Sequence, residues 1–341
     1  MRLTPLLFLA ATTAFMPPVH AEVSGNLAAV AFVAENDFRW SDKYYTNGLG
    51  LAYTTPEVFT GATGGVPRFF QDLVALTPLS GAQNAGHRLH FALAHEIYTA
   101  KNEYSPAYHR DDHPYAGLFH ATLGISSETP RRMDTLEMSL GIIGPSAQGR
   151  RVQNQWHRLV GDPLVRGWGA QLRDEPVIQL AWERTWRIGW ELGGTLRTDL
   201  LPRVGLEAGT VRDVASLGVQ WRAGWNVPGD FGLRTLRAPA GAALRPARSE
   251  GLHGAAPDAF YFFIDAQGEA WAWNAMLDGN AWRAGGGRVR SYPFVAQVAA
   301  GFAAHWGGWR LGFAQVVRSK EFATQDDWVF VHSSISLGLV F

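Results

Sequence analysis

The chain has 341 residues, 30 basic and 30 acidic side chains, and no cysteine. Zero formal charge leaves no electrostatic footprint for a nucleic acid, and the missing thiols exclude disulfides, zinc–thiolate sites and cysteine nucleophiles together. Charged residues make up only 18%, against 12% aromatic with 14 Trp and 38 Gly, a poor fit to a helical soluble enzyme.

The N-terminus reads as a targeting segment. Arg2 forms a short basic region, Leu6–Phe15 an apolar core, and Val19-His20-Ala21 a small-x-small cleavage site. Residues 1–21 are therefore expected to be a signal peptide and 22–341 the mature domain. Beyond it no uncharged apolar run is long enough to cross a bilayer as a helix.

From there a period of two recurs. Leu49, Leu51 and Tyr53 alternate with Gly48, Gly50, Ala52 and Thr54; Leu89, Phe91, Leu93 and Ile97 alternate with Arg88, His90, Ala92 and Glu96. The same pattern closes the chain, where Val329, Val331, Ile335, Leu337, Leu339 and Phe341 alternate with His332, Ser334, Ser336 and Gly338. A soluble sandwich buries the apolar set; a membrane barrel turns it toward lipid and fills its lumen with the polar set. Segments of about ten residues, Trp190, Trp225, Trp309 and Trp328 near strand ends, and a terminal apolar strand favour the barrel.

The segments predict an all-β fold, a transmembrane antiparallel barrel of about 12 strands. They are Leu27–Phe38, Thr46–Pro56, Arg88–Thr99, Tyr115–Ser126, Met133–Ile143, Val177–Arg187, Trp190–Arg203, Ala215–Trp225, Ala259–Asn274, Tyr292–His305, Trp309–Ser319 and Trp328–Phe341. With both termini periplasmic, the outer connections are Arg39–Tyr45, Ala100–Pro114, Gly144–Pro176, a short one near Val204–Arg212, Ala275–Ser291 and Lys320–Asp327. Glu57–His87 and Asn226–Pro257, rich in Gly, Pro and Ala, are left as long inner-side loops.

The longest outer loop holds a short helix, Val152–Val160. Gln153 and His157 lie one turn apart, beside an apolar stripe of Val152, Trp156, Leu159 and Val160. A histidine there is a candidate general base, because its ordinary pKa lies near working pH; the plain alternative is a surface helix whose histidine does nothing. Glu35-Asn36-Asp37 and Tyr44-Tyr45-Thr46-Asn47-Gly48 fall at the same rim. Their oxygens suit a hard cation such as calcium, or simply form a polar hairpin rim. Asp230-Phe231-Gly232 has no kinase context, and no Gly-x-Ser-x-Gly elbow is present. His90 and His332 read as lumen filling.

Taken in order, Glu35-Asn36-Asp37, Tyr45-Thr46-Asn47-Gly48, Glu96-Ile97-Tyr98-Thr99, His113-Pro114-Tyr115-Ala116-Gly117, Ile143-Gly144-Pro145 and Val152-Gln153-Asn154-Gln155-Trp156-His157-Arg158 resemble the lipid A 3′-O-deacylase family (LpxR) of Gram-negative outer membranes. Gly167-Trp168, Asp174-Glu175-Pro176 and Leu277-Asp278-Gly279-Asn280 extend the resemblance over nearly the whole mature chain. It implies a 12-stranded outer-membrane barrel performing calcium-dependent hydrolysis of the ester that holds the 3′-linked acyloxyacyl group on lipid A. It places the catalytic histidine on His157 and its glutamine on Gln153. The first-strand pair falls on Asn36 and Asp37, the hydroxyl after tyrosine on Thr46, and a basic residue of the second outer loop on Lys101 or Arg110. An acidic residue after the histidine falls near Asp162.

The resulting expectation is Ca2+ on Asn36 and Asp37 with Asp162 nearby, and His157, Gln153 and Asp37 as the catalytic set. Thr46, Lys101, Arg110 and Trp156 would meet the substrate, the cations pairing with a lipid A phosphate and Trp156 receiving acyl chain. Lipopolysaccharide is the expected partner of a monomer in the outer membrane. An outer-membrane phospholipase using serine and histidine, or a non-catalytic pore or structural barrel, are the rival readings.

Overall fold

The structure is a computed structural model that describes residues 27–37, 43–57, 68, 72, 85–105, 110–236, 258–283 and 286–341. The leader expected at 1–21 lies outside the described residues, as does most of Glu57–His87.

Alternating side chains build the strands β1 (Ala29–Asn36), β2 (Tyr44–Thr54), β3 (Gly86–Thr99), β4 (Ala116–Thr129) and β5 (Arg132–Ile143). The helix α1 (Gly149–Val160) follows. Strand β6 runs through Glu175–Trp186 and continues as Ile188–Gly193. Then come β7 (Leu196–Gly209), β8 (Arg212–Trp225), β9 (Ala259–Asn274), the one-turn helix α2 (Ala275–Asp278), β10 (Phe294–Trp306), β11 (Trp309–Ser319) and β12 (Val329–Val340). Each strand pairs antiparallel with its neighbours in sequence. Ala29 opposite Val340 brings β12 onto β1, so the sheet closes into a 12-stranded barrel without an edge.

Two expected boundaries move. The register joins Thr185 to Arg203 and Ile188 to Leu200 without a slip, so 188–193 prolongs β6 and does not begin the next strand. The chain reverses at Gly193-Gly194, both at positive φ. The connection expected at Val204–Arg212 shrinks to Thr210 and Val211, because β7 continues to Gly209.

The burial pattern settles which set faces where. Val30, Phe32, Leu51, Leu93, Ile178, Leu180, Phe262 and Ile264 are exposed on the outer wall. Charged groups fill the lumen and are paired: Arg203 holds Asp265 through two bonds of 2.7 Å, Arg222 reaches Asp199 at 2.6 Å, and Arg318 reaches Glu269 at 2.6 Å. That inversion is what a lipid solvent selects. Trp186, Trp190, Trp225 and Trp306 stand exposed toward one rim, and Trp328, Tyr292 and Phe294 toward the other.

The described part of the long segment after β8, residues 226–236, enters the lumen. Asp230 binds Arg222, Arg234 binds Glu183, and the Leu236 amide donates to Glu35 Oε1 at 2.8 Å. Leu236 packs on Ala31, Val33, Ala52 and Ala92. Asp230-Phe231-Gly232 is thus part of a plug, and the lumen cavities among the described residues are about 20, 60 and 50 Å³. Each of these three spaces has room for at most a few waters.

Candidate active site on the outer wall

The segment joining β5 to β6 folds back over the outside of β3 and β4. Ile97 lies on the same outward face of β3 as exposed Leu93, yet it is buried, because Tyr115, Val165 and Trp168 cover it with Val152 beside them. The Ala147 carbonyl accepts a hydrogen bond from Nε2 of outward-facing His95 at 2.8 Å. Gly117 makes the seat. A Cβ there would meet the Gly149 nitrogen at 3.0 Å and its Cα at 3.2 Å, so only a bare backbone lets the start of α1 approach β4 this closely.

Helix α1 takes its helix formers from Arg150, Arg151, Gln153, Gln155, Arg158 and Leu159 and ends in Gly161 at φ 82. The amides of Gly161 and Asp162 both donate to the His157 carbonyl, at 2.9 and 2.8 Å. The helix reverses the usual arrangement of a surface helix. Its buried residues are Gly149, Gln153, Asn154 and His157, while Trp156, Leu159 and Val160 are exposed. Trp156, Leu159 and Val160 therefore point away from the barrel wall, while Val152 packs into the cluster beneath the helix and the polar stripe faces the wall.

Three side chains hold that polar stripe in place. Asn154 brackets Val165, accepting from its amide at 2.9 Å and donating to its carbonyl at 3.2 Å. Gln153 accepts from the Trp168 indole at 3.0 Å and directs its amide toward Glu103 Oε2 at 3.5 Å. His157 Nδ1 lies 2.6 Å from the Pro163 carbonyl. A carbonyl only accepts, so Nδ1 carries the proton, and Nε2 is the basic nitrogen of the neutral ring. Sequence reasoning does not single out Glu103, Asn154 or Trp168. Glu103 sits in a loop without a recognisable motif, and Trp168 and Asn154 stand out only as parts of a longer pattern.

The oxygen-rich ends of β1 and β2 reach the same rim and the same sector. Asn36 pairs with Asn47 and continues the outward register of Val30 and Phe32. Thr46 is the extra residue where the β2–β3 register shifts, and its hydroxyl meets that of Thr99 at 2.7 Å. Thr99 precedes Ala100, which belongs to the cluster under α1. Asp37 is buried and accepts from the Lys43 amide at 3.3 Å. Asn36, Asp37, Thr46, Gln153 and His157 thus share the helix-bearing rim within the sector β1–β4.

Other predicted residues fall differently. Lys101 is exposed and forms an ion pair with Asp326, a bond that holds the carboxyl of Asp326 below its ordinary range and raises Lys101. Its ammonium is thereby engaged by the loop after β11. Arg110 is exposed in the β3–β4 loop. Asp162 is exposed, and its backbone serves the helix end. Among the described residues, no three His, Cys, Asp or Glu side chains gather as a metal cluster, so a cation here would need amide and hydroxyl oxygens as well. His90 and His332 lie in the lumen as expected, His90 bonded to Thr54 and Ser126 at 2.9 Å each. A lumenal trio of Glu96, Tyr98 and His120 borders the cavity of about 60 Å³, too small for a lipid chain.

A family model described as "Outer membrane protein LpxR" matches residues 6–341. The chain belongs to the LpxR family. The solved LpxR from Salmonella typhimurium superposes with a TM-score of 0.72 at 17% identity, over 92% of this chain and 100% of that one. At that identity the likeness shows the fold, and with the family it places the protein in the Gram-negative outer membrane. The β domain of the Bordetella autotransporter BrkA gives a TM-score of 0.42 at 11% identity, covering 94% of this chain and 99% of that one. An outer membrane channel from Pseudomonas putida F1 gives 0.41 at 10%, covering 96% and 100%. No curated protein matches the chain. The helix on the outer wall and its buried histidine distinguish this barrel from a bare cylinder.

Proposed function

We propose that the protein hydrolyses the ester holding the 3′-linked acyloxyacyl group of lipid A in the outer leaflet, with calcium as cofactor. The observation that carries this reading is the placement of His157. Its imidazole is buried against the outer wall, oriented by the Pro163 carbonyl at Nδ1, directly beside the exposed apolar face of Trp156 and Val160. An ester at the boundary of acyl chain and head group lies at that depth. Both chain ends and the tight reversals at Pro130-Arg131, Gly193-Gly194 and Gly307-Gly308 lie at the opposite rim, which supports reading that rim as periplasmic and α1 as outside.

His157 takes a proton from water, whose oxygen attacks the ester carbonyl. When the tetrahedral intermediate breaks, the sugar oxygen leaves and recovers that proton from His157. The products are a free acyloxyacyl acid and a 3′-hydroxyl. Gln153, fixed between Trp168 and Glu103, orients the water or the carbonyl. Asn36, buried Asp37 and Thr46 offer only hard oxygen donors, a set that fits calcium, with Asp37 supplying the charge. When bound, calcium supplies Lewis-acid polarisation of the carbonyl and stabilises the oxyanion. Trp156, Leu159 and Val160 receive the acyl chain.

The test is mass spectrometry of purified lipid A incubated with the protein, with calcium or with chelator. Loss of one acyloxyacyl mass in calcium alone supports the reading. Turnover of phospholipid instead, blocked by a serine-directed reagent, would assign the protein to the phospholipase class.

A further inference from the structure

Beside α1 runs a groove that the reaction above does not use. Arg150, Arg151 and Arg158 of the helix and Arg166 of the following loop line it, and its volume is about 900 Å³. No carboxylate lines it, and none of the four guanidinium groups forms an ion pair among the described residues. All four arginines are exposed. The chain as a whole is neutral, so this concentration of one sign is local.

Two of the cations sit where helix physics disfavours them. Arg150 and Arg151 occupy the first turn, with no acidic residue beside them. Cations there oppose the helix dipole at a cost of a few tenths to about 1 kcal/mol each at an exposed terminus. A local rule broken twice on one helix points to a use elsewhere. Guanidinium groups in a forked array are the usual partners of phosphate oxygens, which they grip with two parallel bonds.

The groove shares its wall with the histidine site. Asn154 and Pro163 line it, and the Pro163 carbonyl is the acceptor that fixes the His157 ring. Around the helix, with about 3.6 residues per turn, His157 lies between the apolar face of Trp156 and Val160 and the arginine face. Leu164 continues the apolar surface at the groove's edge and is exposed. A ligand spanning these surfaces has acyl chains on one side, an ester in the middle and phosphate on the other. A free anion would need no apolar margin.

The geometry points to this groove as the binding site for the phosphorylated sugar head group of a lipopolysaccharide molecule, seated so that its acyl ester reaches His157. The inference rests on the deacylase reading and names which residues grip the substrate's anionic end: Arg150, Arg151, Arg158 and Arg166, in place of the Lys101 engaged by Asp326.

The test compares the full-length protein in detergent micelles with a variant carrying R150Q, R151Q, R158Q and R166Q. Folding of both is checked by heat-modifiable mobility. Binding is measured to bisphosphorylated lipid A, to the same lipid A after phosphatase treatment, to phosphatidylglycerol and to inorganic phosphate. The variant should bind phosphorylated lipid A at least about tenfold more weakly. It should bind the dephosphorylated form and phosphatidylglycerol as the parent does, and its KM for phosphorylated lipid A should rise by a similar factor. Equal loss for phosphatidylglycerol would make the groove a general anionic-surface contact, and displacement of lipid A by millimolar phosphate would make it a free-anion site; either result overturns the inference. So does unchanged affinity for phosphorylated lipid A. If the binding pattern holds while the parent fails to deacylate lipid A, the groove stands and the reaction is misassigned.

Discussion

Gly117→Val tests whether the seat of α1 sets the chemistry. A Cβ at 117 falls 3.0 Å from the Gly149 nitrogen and 3.2 Å from its Cα. Packed heavy atoms settle near 3.5–4.0 Å, so a single methyl requires the helix start to lift by roughly 0.5 Å. The two further methyls of valine raise that displacement to on the order of 1 Å or more. Valine is at home in a strand, so β4 and the barrel should form as before. His157 rides on the displaced helix while Asn36, Asp37 and Thr46 stay on β1 and β2. A misplacement of about 1 Å between groups acting on one substrate costs roughly 100-fold in rate. Gly117→Ala should lose less, about tenfold or below. The assay is initial-rate deacylation of lipid A, followed by mass spectrometry, on protein whose heat-modifiable mobility matches the parent. A Gly117→Val protein that folds and turns over at the parent rate would refute the claim that the helix must sit at this depth.

Other consequences are smaller. Trp168→Phe removes the donor that meets Gln153 at 3.0 Å. It should cost about 0.5–1.5 kcal/mol of local stability, read as faster amide exchange in α1 together with lower turnover. The Lys101–Asp326 pair has a defined pH window. Its depressed carboxyl contributes above the ordinary carboxylate range and ceases to contribute as pH falls through the lowered value. Lys101→Met should therefore speed exchange of the amides at 320–327 at neutral pH, and the difference should shrink as pH falls through the lowered value of the Asp326 carboxyl.

The barrel is legible in the sequence because lipid writes a plain signal: apolar and small or polar residues alternate wherever one face meets lipid and the other a packed lumen. That alternation bounds Ala259–Asn274 to the residue. The signal fails where it carries no contrast. Gly193-Gly194 interrupts a run from Trp190 to Leu200 whose alternation otherwise continues, so periodicity alone puts the turn before Trp190 although two adjacent glycines mark it. Near Val204–Gly209 the outward set is Val204, Leu206 and Ala208, and the small Ala208 gives little contrast before the strand ends.

The helix is legible in its period and in its pairing of Gln153 with His157. What it packs against is less so. An apolar stripe ordinarily meets a core, but here Trp156, Leu159 and Val160 are exposed and the buried side is largely polar. That side is held by partners elsewhere along the chain, Glu103, Val165 and Trp168, which no local pattern joins.

The central claim is that the Nε2 of His157, set by its bond to the Pro163 carbonyl, activates water on lipid A. The direct measurement is the lipid A profile of outer membranes carrying His157→Ala beside the parent protein. General-base loss predicts a fall of about 100- to 10,000-fold in deacylation, so the fully acylated species should dominate with the variant and the shortened one with the parent. Shortened lipid A accumulating equally with both proteins would contradict the account.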